Sequence, residues 1–363
     1  MDFHKSIPVL LVFVLSLVAC RSHVEQTRVT GDLSSCHIIY DAGSSRTRLY
    51  VYQQTGAGWV KHRGPKTDAL ADPVREIRGK TISDAGLVVG DIVTALENMR
   101  RDGPPDKNGL PQWPAFDWQE HCNIETVAVY ATAGMRLAEQ KDAVATDVLW
   151  ETLNERLATA VGMKVTTRTL SAYEEGLFAW LAIREGQDDG AFGVAEMGGA
   201  SVQVTFLCPE CQTSRPVKVK GRVTPIYSYS HLGWGQDEAW NNFGPLPACK
   251  LGAGKENPAW EIADCAAGME ISSEAAVDLR KYIGARDELH WYLAGAFRYM
   301  RDTDIERFCR KGSPTGFEPV TSCFRAVYLP KIINSLGLPN SLEPTDVDWT
   351  LGAVICTSTQ CLE

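Results

Sequence analysis

Two short segments carry one pattern 155 residues apart, and they limit what this chain folds into more than any other feature. The first runs Cys36-His-Ile-Ile-Tyr40, then Asp41-Ala-Gly-Ser-Ser45, then a stretch with Thr47, Leu49 and Val51 on one face. The second runs Ala191-Phe-Gly-Val-Ala195, then Glu196-Met-Gly-Gly-Ala-Ser201, then Val202-Gln-Val-Thr-Phe206. Apolar runs flanking a glycine turn predict β-hairpins. Aligning the two sets Asp41 on Glu196 and Gly43 on Gly198. Two such units predict two related lobes, and a chain of 363 residues is long enough for both.

The remaining patterns fit that plan. Helix spacing of Ala85, Val88, Val89, Ile92, Ala95 and Leu96 predicts a helix over 82–101, and a second is expected over 139–161. Strands are expected at 124–131 and 165–170, with a turn at Thr132-Ala-Gly-Met-Arg136. Four prolines mark 102–118 as a loop. Ser171-Ala-Tyr-Glu-Glu-Gly176 leads into an apolar helix, Leu177 to Ile183. Strands alternating with helices predict α/β lobes facing across a cleft. The lobes are expected at 33–168 and 169–363, the last segment packing back on the first lobe.

The hairpins also carry chemistry. Glycine lets backbone N–H groups approach an anion closely, and successive N–H groups in a tight turn form a phosphate-binding nest. Ser44, Ser45 and Ser201 add hydroxyl donors. A carboxylate at each turn repels phosphate unless a hard cation or its water shell lies between. Asp41 and Glu196 are therefore candidate holders of Mg²⁺ or Ca²⁺ through water. Tyr173-Glu174-Glu175-Gly176 sets two acids where strand passes into helix. Either could position a water for attack on phosphorus. The plainer reading is an acidic helix N-terminus, which the helix dipole favours.

Composition narrows the setting. A net charge of −9 argues against binding nucleic acid polymers, which need a basic face, but not against binding a small nucleotide. Lys5 precedes an apolar run, Ile7 to Ala19, that is too short to span a bilayer and reads as a signal peptide over 1–19. It ends Leu17-Val18-Ala19-Cys20, which resembles a lipobox with lipidation at Cys20; a plain signal peptidase site is the alternative. Ten further cysteines suggest up to five disulfides in an oxidising compartment. Close spacing favours Cys249–Cys265, Cys309–Cys323 and Cys356–Cys361, and Cys208-Pro-Glu-Cys211 reads as a local disulfide rather than half a zinc site. The expected location is extracytoplasmic: secreted, periplasmic or lipid-anchored.

Five segments occur in a fixed order: Asp41-Ala-Gly-Ser-Ser-Arg-Thr-Arg-Leu-Tyr50, Ala131-Thr-Ala-Gly-Met-Arg136, Glu174-Glu-Gly-Leu-Phe-Ala-Trp180, Glu196-Met-Gly-Gly-Ala-Ser-Val-Gln203 and Trp349-Thr-Leu-Gly352. Together they resemble conserved regions of the nucleoside triphosphate diphosphohydrolases, or ecto-apyrases. Arg78-Gly-Lys-Thr-Ile-Ser83 is the nearest match to the family's second region, and Tyr227 to Ala239 resembles its segment between the fourth and fifth. The resemblance implies an actin/Hsp70/sugar-kinase-like fold of two lobes. It also implies hydrolysis of nucleoside tri- and diphosphates to monophosphate, dependent on Ca²⁺ or Mg²⁺. Carried over by motif, Glu175 is the base that activates water. Gly43, Ser44, Ser45, Thr132, Gly198, Gly199, Ala200 and Ser201 line the phosphate loops. Asp41 and Glu196 position the metal's waters, Gln203 lies near the attacking water, and Arg136 orders the third turn.

Two features depart from the family pattern. Glu196 stands where the family more often has Asp, which moves the carboxylate by roughly 1.5 Å. The hydrophobic C-terminal span of the membrane-bound animal enzymes has no counterpart in the last eleven residues. Competing readings are an exopolyphosphatase of the same fold, which needs a basic channel that the acidic composition does not suggest, and a nucleotide-binding protein without hydrolysis. Trp234, Tyr227, Tyr229, Trp291, Tyr292, Phe297 and Tyr299 are candidates for stacking a nucleobase, though aromatics at such spacing are commonly core. His231 is expected to be structural. Trp349 and Gly352 are expected to pack the last helix rather than touch substrate.

Overall fold

A computed structural model describes residues 33–75, 82–187, 192–244, 246–249, 258–271, 277–284, 289–300, 309–310, 321–339 and 342–362. In it the two predicted hairpins are β1 (Ser34–Ala42) with β2 (Thr47–Thr55), and β6 (Phe192–Met197) with β7 (Ser201–Leu207). Their registers agree. Asp41 pairs with Arg48 and Ala42 with Thr47; Glu196 pairs with Gln203 and Met197 with Val202. The 155-residue offset therefore holds on both strands of each hairpin, which makes Arg48 the counterpart of Gln203. The signal segment with Cys20, most of the segment beginning at Arg78, and the side chain of Tyr299 lie outside the described residues.

Each hairpin seeds a sheet, and the two sheets repeat one topology. The first adds β3 (Gly58–Thr67), β4 (Cys122–Ala131) and β5 (Val165–Thr169) in the order β3-β2-β1-β4-β5. The second adds β8 (Arg215–Val219), β9 (Arg222–Leu232), β10 (His290–Gly295) and β11 (Leu342–Pro344) in the order β11-β10-β6-β7-β9-β8. In both, the hairpin is antiparallel, and the first hairpin strand pairs in parallel with a later strand, β4 or β10. This is the two-lobed α/β architecture that the sequence implied.

The helices follow in chain order: α1 (Ala85–Asn98), α2 (Trp118–His121), α3 (Ala133–Lys141), α4 (Ala143–Val161), α5 (Ala172–Arg184), α6 (Gln236–Phe243), α7 (Ile262–Ala267), α8 (Val277–Gly284), α9 (Ser322–Leu336) and α10 (Trp349–Thr359). Strand alternation assigns them to layers. Cys36, Ile38, Tyr40 and Ala42 of β1 pack with the apolar faces of α1, α3 and α4. Ile39, on the opposite face, joins Leu177, Trp180 and Leu181 of α5 and Ala353 and Val354 of α10. In β6, Phe192 and Val194 face that same central layer, while Ala195 and Met197 face a core shared with α9. Thus α5 and α10 lie between the sheets. Because side chains alternate along a strand, Asp41 and Glu196 both point to this inner side.

Local chemistry sets the ends of α5. Ser171 accepts from the Glu174 amide and the Glu174 carboxylate accepts from the Ser171 amide, a reciprocal capping box. The helix therefore starts at Ala172, earlier than Leu177, and carries Glu174 and Glu175 in its first turn. Two other expectations are corrected. Thr132–Arg136 is not a free turn: Thr132 directly precedes α3 and Arg136 sits on the helix. The helix expected over 139–161 is divided at Asp142, whose side chain accepts from the Ala145 amide and starts α4 afresh. Gly352 packs α10 on α5 as expected, since a Cβ there would overlap the Phe178 carbonyl.

Five disulfides join Cys36–Cys122, Cys208–Cys211, Cys249–Cys265, Cys309–Cys323 and Cys356–Cys361. Three are the pairings that close spacing favoured, and Cys208–Cys211 is the local disulfide expected of its C-x-x-C. The fifth ties β1 to β4 across 86 residues and so restricts the unfolded chain most. Cys36→Ser with Cys122→Ser is expected to cost about 2–5 kcal/mol. Denaturant unfolding beside the Cys208/Cys211 double variant checks this; an equal or smaller loss for the long-range pair would contradict it.

Candidate active site

The ends of β1 and β6 meet at a cleft of about 290 Å³. Its lining includes Asp41, Gly43, Ser44, Ser45, Thr132, Glu175, Glu196, Gly198, Gly199, Ala200 and Ser201, eleven of the thirteen residues singled out from the sequence. The other two, Arg136 and Gln203, stand directly behind it. The two turns touch. A Cβ on Gly199 would overlap Ser44 Oγ and Asp237 Oδ2, so only glycine admits so close an approach. Ser45 Oγ donates to Asp237 Oδ2 of α6 at 2.7 Å, and Arg75 Nη2 donates to Glu238 Oε2 at 2.5 Å. These bonds tie the first sheet's loops to the second sheet's helix across the cleft.

Glu175 is buried, and burial raises its carboxyl above the usual range, partly offset by the Arg136 guanidinium. Arg136 Nη2 donates to Glu175 Oε2 at 2.8 Å and to Ser201 Oγ at 3.4 Å, while Nη1 donates to the Leu170 carbonyl at 3.1 Å. Arg136 therefore does more than order its own turn: it orients Glu175 and reaches the second hairpin. Gln203 Nε2 donates to Ser201 Oγ at 2.5 Å and to Ser230 Oγ at 3.0 Å, which fixes the amide. Glu174 is occupied elsewhere, in a paired contact with Arg168 at 2.7 and 3.0 Å and in the capping box.

Asp41 and Glu196 are buried with unequal partners. Asp41 Oδ2 accepts from Arg48 Nη1 at 3.2 Å, yet burial still carries its pKa up to about 6. Glu196 faces the shorter, uncharged Gln203 in place of an arginine. Burial, then the charges of Glu175, Asp41 and Asp348, push it well above the carboxylate range. Its Oε2 and the Oε1 of Gln203 are buried without a hydrogen-bond partner. Unpartnered buried oxygens among crowded carboxylates fit a hard cation with its waters. Among the described residues, no three His, Cys, Asp or Glu side chains converge closely enough to ligate an ion directly.

Asp348 was missed by sequence reasoning. It directly precedes α10, which follows β11 as α5 follows β5, and it accepts from Lys61 Nζ at 2.8 Å and Tyr52 Oη at 3.1 Å. It directly precedes Trp349, so the signal lay one residue ahead of a quoted motif. Trp349 packs α10 and also lines the cleft. Cations lining the cleft, Arg48, Arg63, Lys66 and Arg298, were also missed, because charges spread over separate strands form no sequence motif. Of the aromatic candidates, Trp234, Tyr227, Tyr229, Trp291, Tyr292 and Phe297 do not line this cleft; its aromatic lining is Tyr50 and Trp349. His231 is buried, stacks on Trp234 at 4.3 Å, and is kept neutral by burial, with a pKa of about 4.

Comparison with known proteins agrees with the motifs. Residues 118–244 match the model of the GDA1/CD39 (nucleoside phosphatase) family. Ectonucleoside triphosphate diphosphohydrolase 8 of Rattus norvegicus is 28% identical over 220 residues, covering 55% of this chain and 42% of the relative. Ectonucleoside triphosphate diphosphohydrolase 3 of Homo sapiens is 24% identical over 258 residues, covering 64% and 45%. The match thus spans about half the length of these relatives. Among solved structures, an exopolyphosphatase from Cytophaga hutchinsonii superposes with a TM-score of 0.53 at 12% identity, covering 90% of this chain and 98% of that one. A Ppx/GppA family member from Aquifex aeolicus gives 0.50 at 15% identity, covering 90% and 98%. At such identity these two speak for the fold alone.

Proposed function

From kinship with the GDA1/CD39 nucleoside phosphatases, we propose that the chain hydrolyses nucleoside tri- and diphosphates to the monophosphate, releasing phosphate at each step. The observation that carries this reading is a buried carboxylate, Glu175, fixed by Arg136 above two touching glycine-serine turns. Backbone N–H groups of 43–45 and 198–201, with the Ser44 and Ser201 hydroxyls, hold the terminal phosphate. Glu175 takes a proton from the attacking water, which Gln203 helps to place. The phosphoanhydride bond breaks, the shortened nucleotide leaves with the bridging oxygen, and Ser201 keeps the water-side geometry through Arg136 and Gln203. Asp41 and Glu196 would hold Mg²⁺ or Ca²⁺ through water, and the ion supplies positive charge beside the phosphate oxygens.

The setting is part of the proposal. Five disulfides support work in an oxidising, extracytoplasmic compartment. No helix among the described residues is long and apolar enough to cross a membrane. Phosphate release from ATP and ADP with Mg²⁺, Ca²⁺ or EDTA tests the activity. Turnover of both nucleotides that EDTA abolishes is expected. Undiminished release in EDTA would remove the role given to Asp41 and Glu196, and no release under any condition would remove the activity.

A further inference from the structure

Four cations and five acids line the cleft; three of the acids, Asp41, Glu175 and Glu196, are buried, whereas none of the cations is. Arg48 and Lys66 reach it from β2 and β3, Arg63 from β3, and Arg298 from the turn after β10. Arg63 and Arg298 both lie against a single carboxylate, Asp346, which is itself largely exposed. Arg46 is paired with Asp68, and Arg48 with Asp41. Lys66 has no ion pair among the described residues. Its ammonium is held below the ordinary lysine range, first by burial and then by Arg48, Arg63, Arg298 and Arg46. Among the described residues, five cations thus gather with Asp41, Asp68, Asp346 and Asp348. Like charges stay this close when an anion is to be held between them.

The place of the cluster identifies the anion. The glycine turns and Glu175 lie deeper, so a terminal phosphate bound there directs the rest of its chain outward past Lys66. The six aromatic candidates for a base-stacking platform lie off this path; Tyr50 and Trp349 line it together with guanidinium and ammonium groups. We propose that Lys66, Arg63 and Arg298 form a subsite for the phosphates beyond the attacked one, and that linear inorganic polyphosphate is a second substrate. This rests on the phosphohydrolase reading above. The step is the same: water adds to the terminal phosphorus, the P–O–P bridge breaks, and the shortened chain leaves carrying the bridging oxygen. One proton passes to Glu175 and the other stays on the released phosphate. The low overall basicity that argued against a polyphosphate channel is a whole-chain average, and it hides this local cluster.

Phosphate release from tripolyphosphate, ATP and ADP, by the wild type and by Lys66→Ala, tests the subsite. The wild type is expected to hydrolyse all three. Lys66→Ala is expected to raise KM by about tenfold for tripolyphosphate, the scale of one charge-assisted contact, and by progressively less for ATP and ADP. Lys66→Arg, which keeps the charge, is expected to restore most of that loss. ATP turnover without tripolyphosphate turnover would overturn the second substrate and leave the nucleotide reading standing. An equal rise in KM for all three would overturn the subsite. Absence of turnover with ATP and ADP as well would overturn the parent reading and this inference with it. Arg63→Gln repeats the test from a second exposed position, should the Lys66 variants fold poorly.

Discussion

Glu175→Gln is expected to lower kcat for ATP by about 10²–10⁴ while nucleotide binding is kept, the loss that follows when a general base becomes an amide. The geometry makes the variant informative. Glutamine keeps the shape of the side chain, and its carbonyl oxygen still accepts from Arg136 Nη2, now 2.8 Å from Oε2. The fold around α5 should therefore hold, and only proton acceptance is lost. Glu174, the neighbouring acid, is fully used by Arg168 and the helix cap, so it does not substitute. Glu174→Gln should cost stability rather than chemistry. The pH profile follows from the same burial. A base must be ionised, and Glu175 is raised above its ordinary range. Asp41, at about 6, must also be ionised to hold a cation. Turnover is thus expected to be present above that range and to fall as pH drops through about 6. Rapid turnover by Glu175→Gln, or activity unchanged down to pH 4, would place the base elsewhere.

The parts of this site that were legible in the sequence are the ones encoded by neighbours along the chain. Asp41-Ala-Gly-Ser-Ser45 and Glu196-Met-Gly-Gly-Ala-Ser201 declare a turn, its N–H donors and its acid within a few residues. Strand alternation then decides that both acids point inward. What was not legible is encoded by contacts across the chain. Arg136 appears in the sequence as the end of a turn, and only folding brings it to Glu175, 39 positions away. Asp348 joins the acids because α10 returns between the sheets, a placement fixed by packing on α5 and not by any local pattern. The start of α5 differs from the expected Leu177 because its apolar run begins there, whereas the capping box at Ser171 and Glu174 sets where the helix begins. Lys66 and Arg298 lie far apart in sequence and meet only at the cleft mouth.

Asp41→Asn combined with Glu196→Gln is expected to reduce metal-dependent turnover by about 10²–10⁴, each site that orders a metal's surroundings contributing about 10–100-fold. The same substitutions should stabilise the metal-free protein near neutral pH, and that second effect distinguishes a charge role from mere damage. Both carboxyls have folded-state pKa values raised above the unfolded ones. Groups shifted upward contribute stability at low pH and lose it as pH rises through the folded pKa, which for Asp41 is about 6. Glu196 carries the larger part, because its Oε2 has no donor among the described residues and the charges that shift it, Glu175, Asp41 and Asp348, are carboxylates. Removing its charge relieves repulsion from Asp41, Glu175 and Asp348. The metal-free double variant should therefore melt a few degrees above wild type at pH 7–8, about 2–4 °C for each kcal/mol relieved, and close to it near pH 4. Added Ca²⁺ or Mg²⁺ should raise the melting temperature of the wild type and leave the variant unmoved. Equal melting gains on adding the ion would mean that these two carboxylates do not hold it.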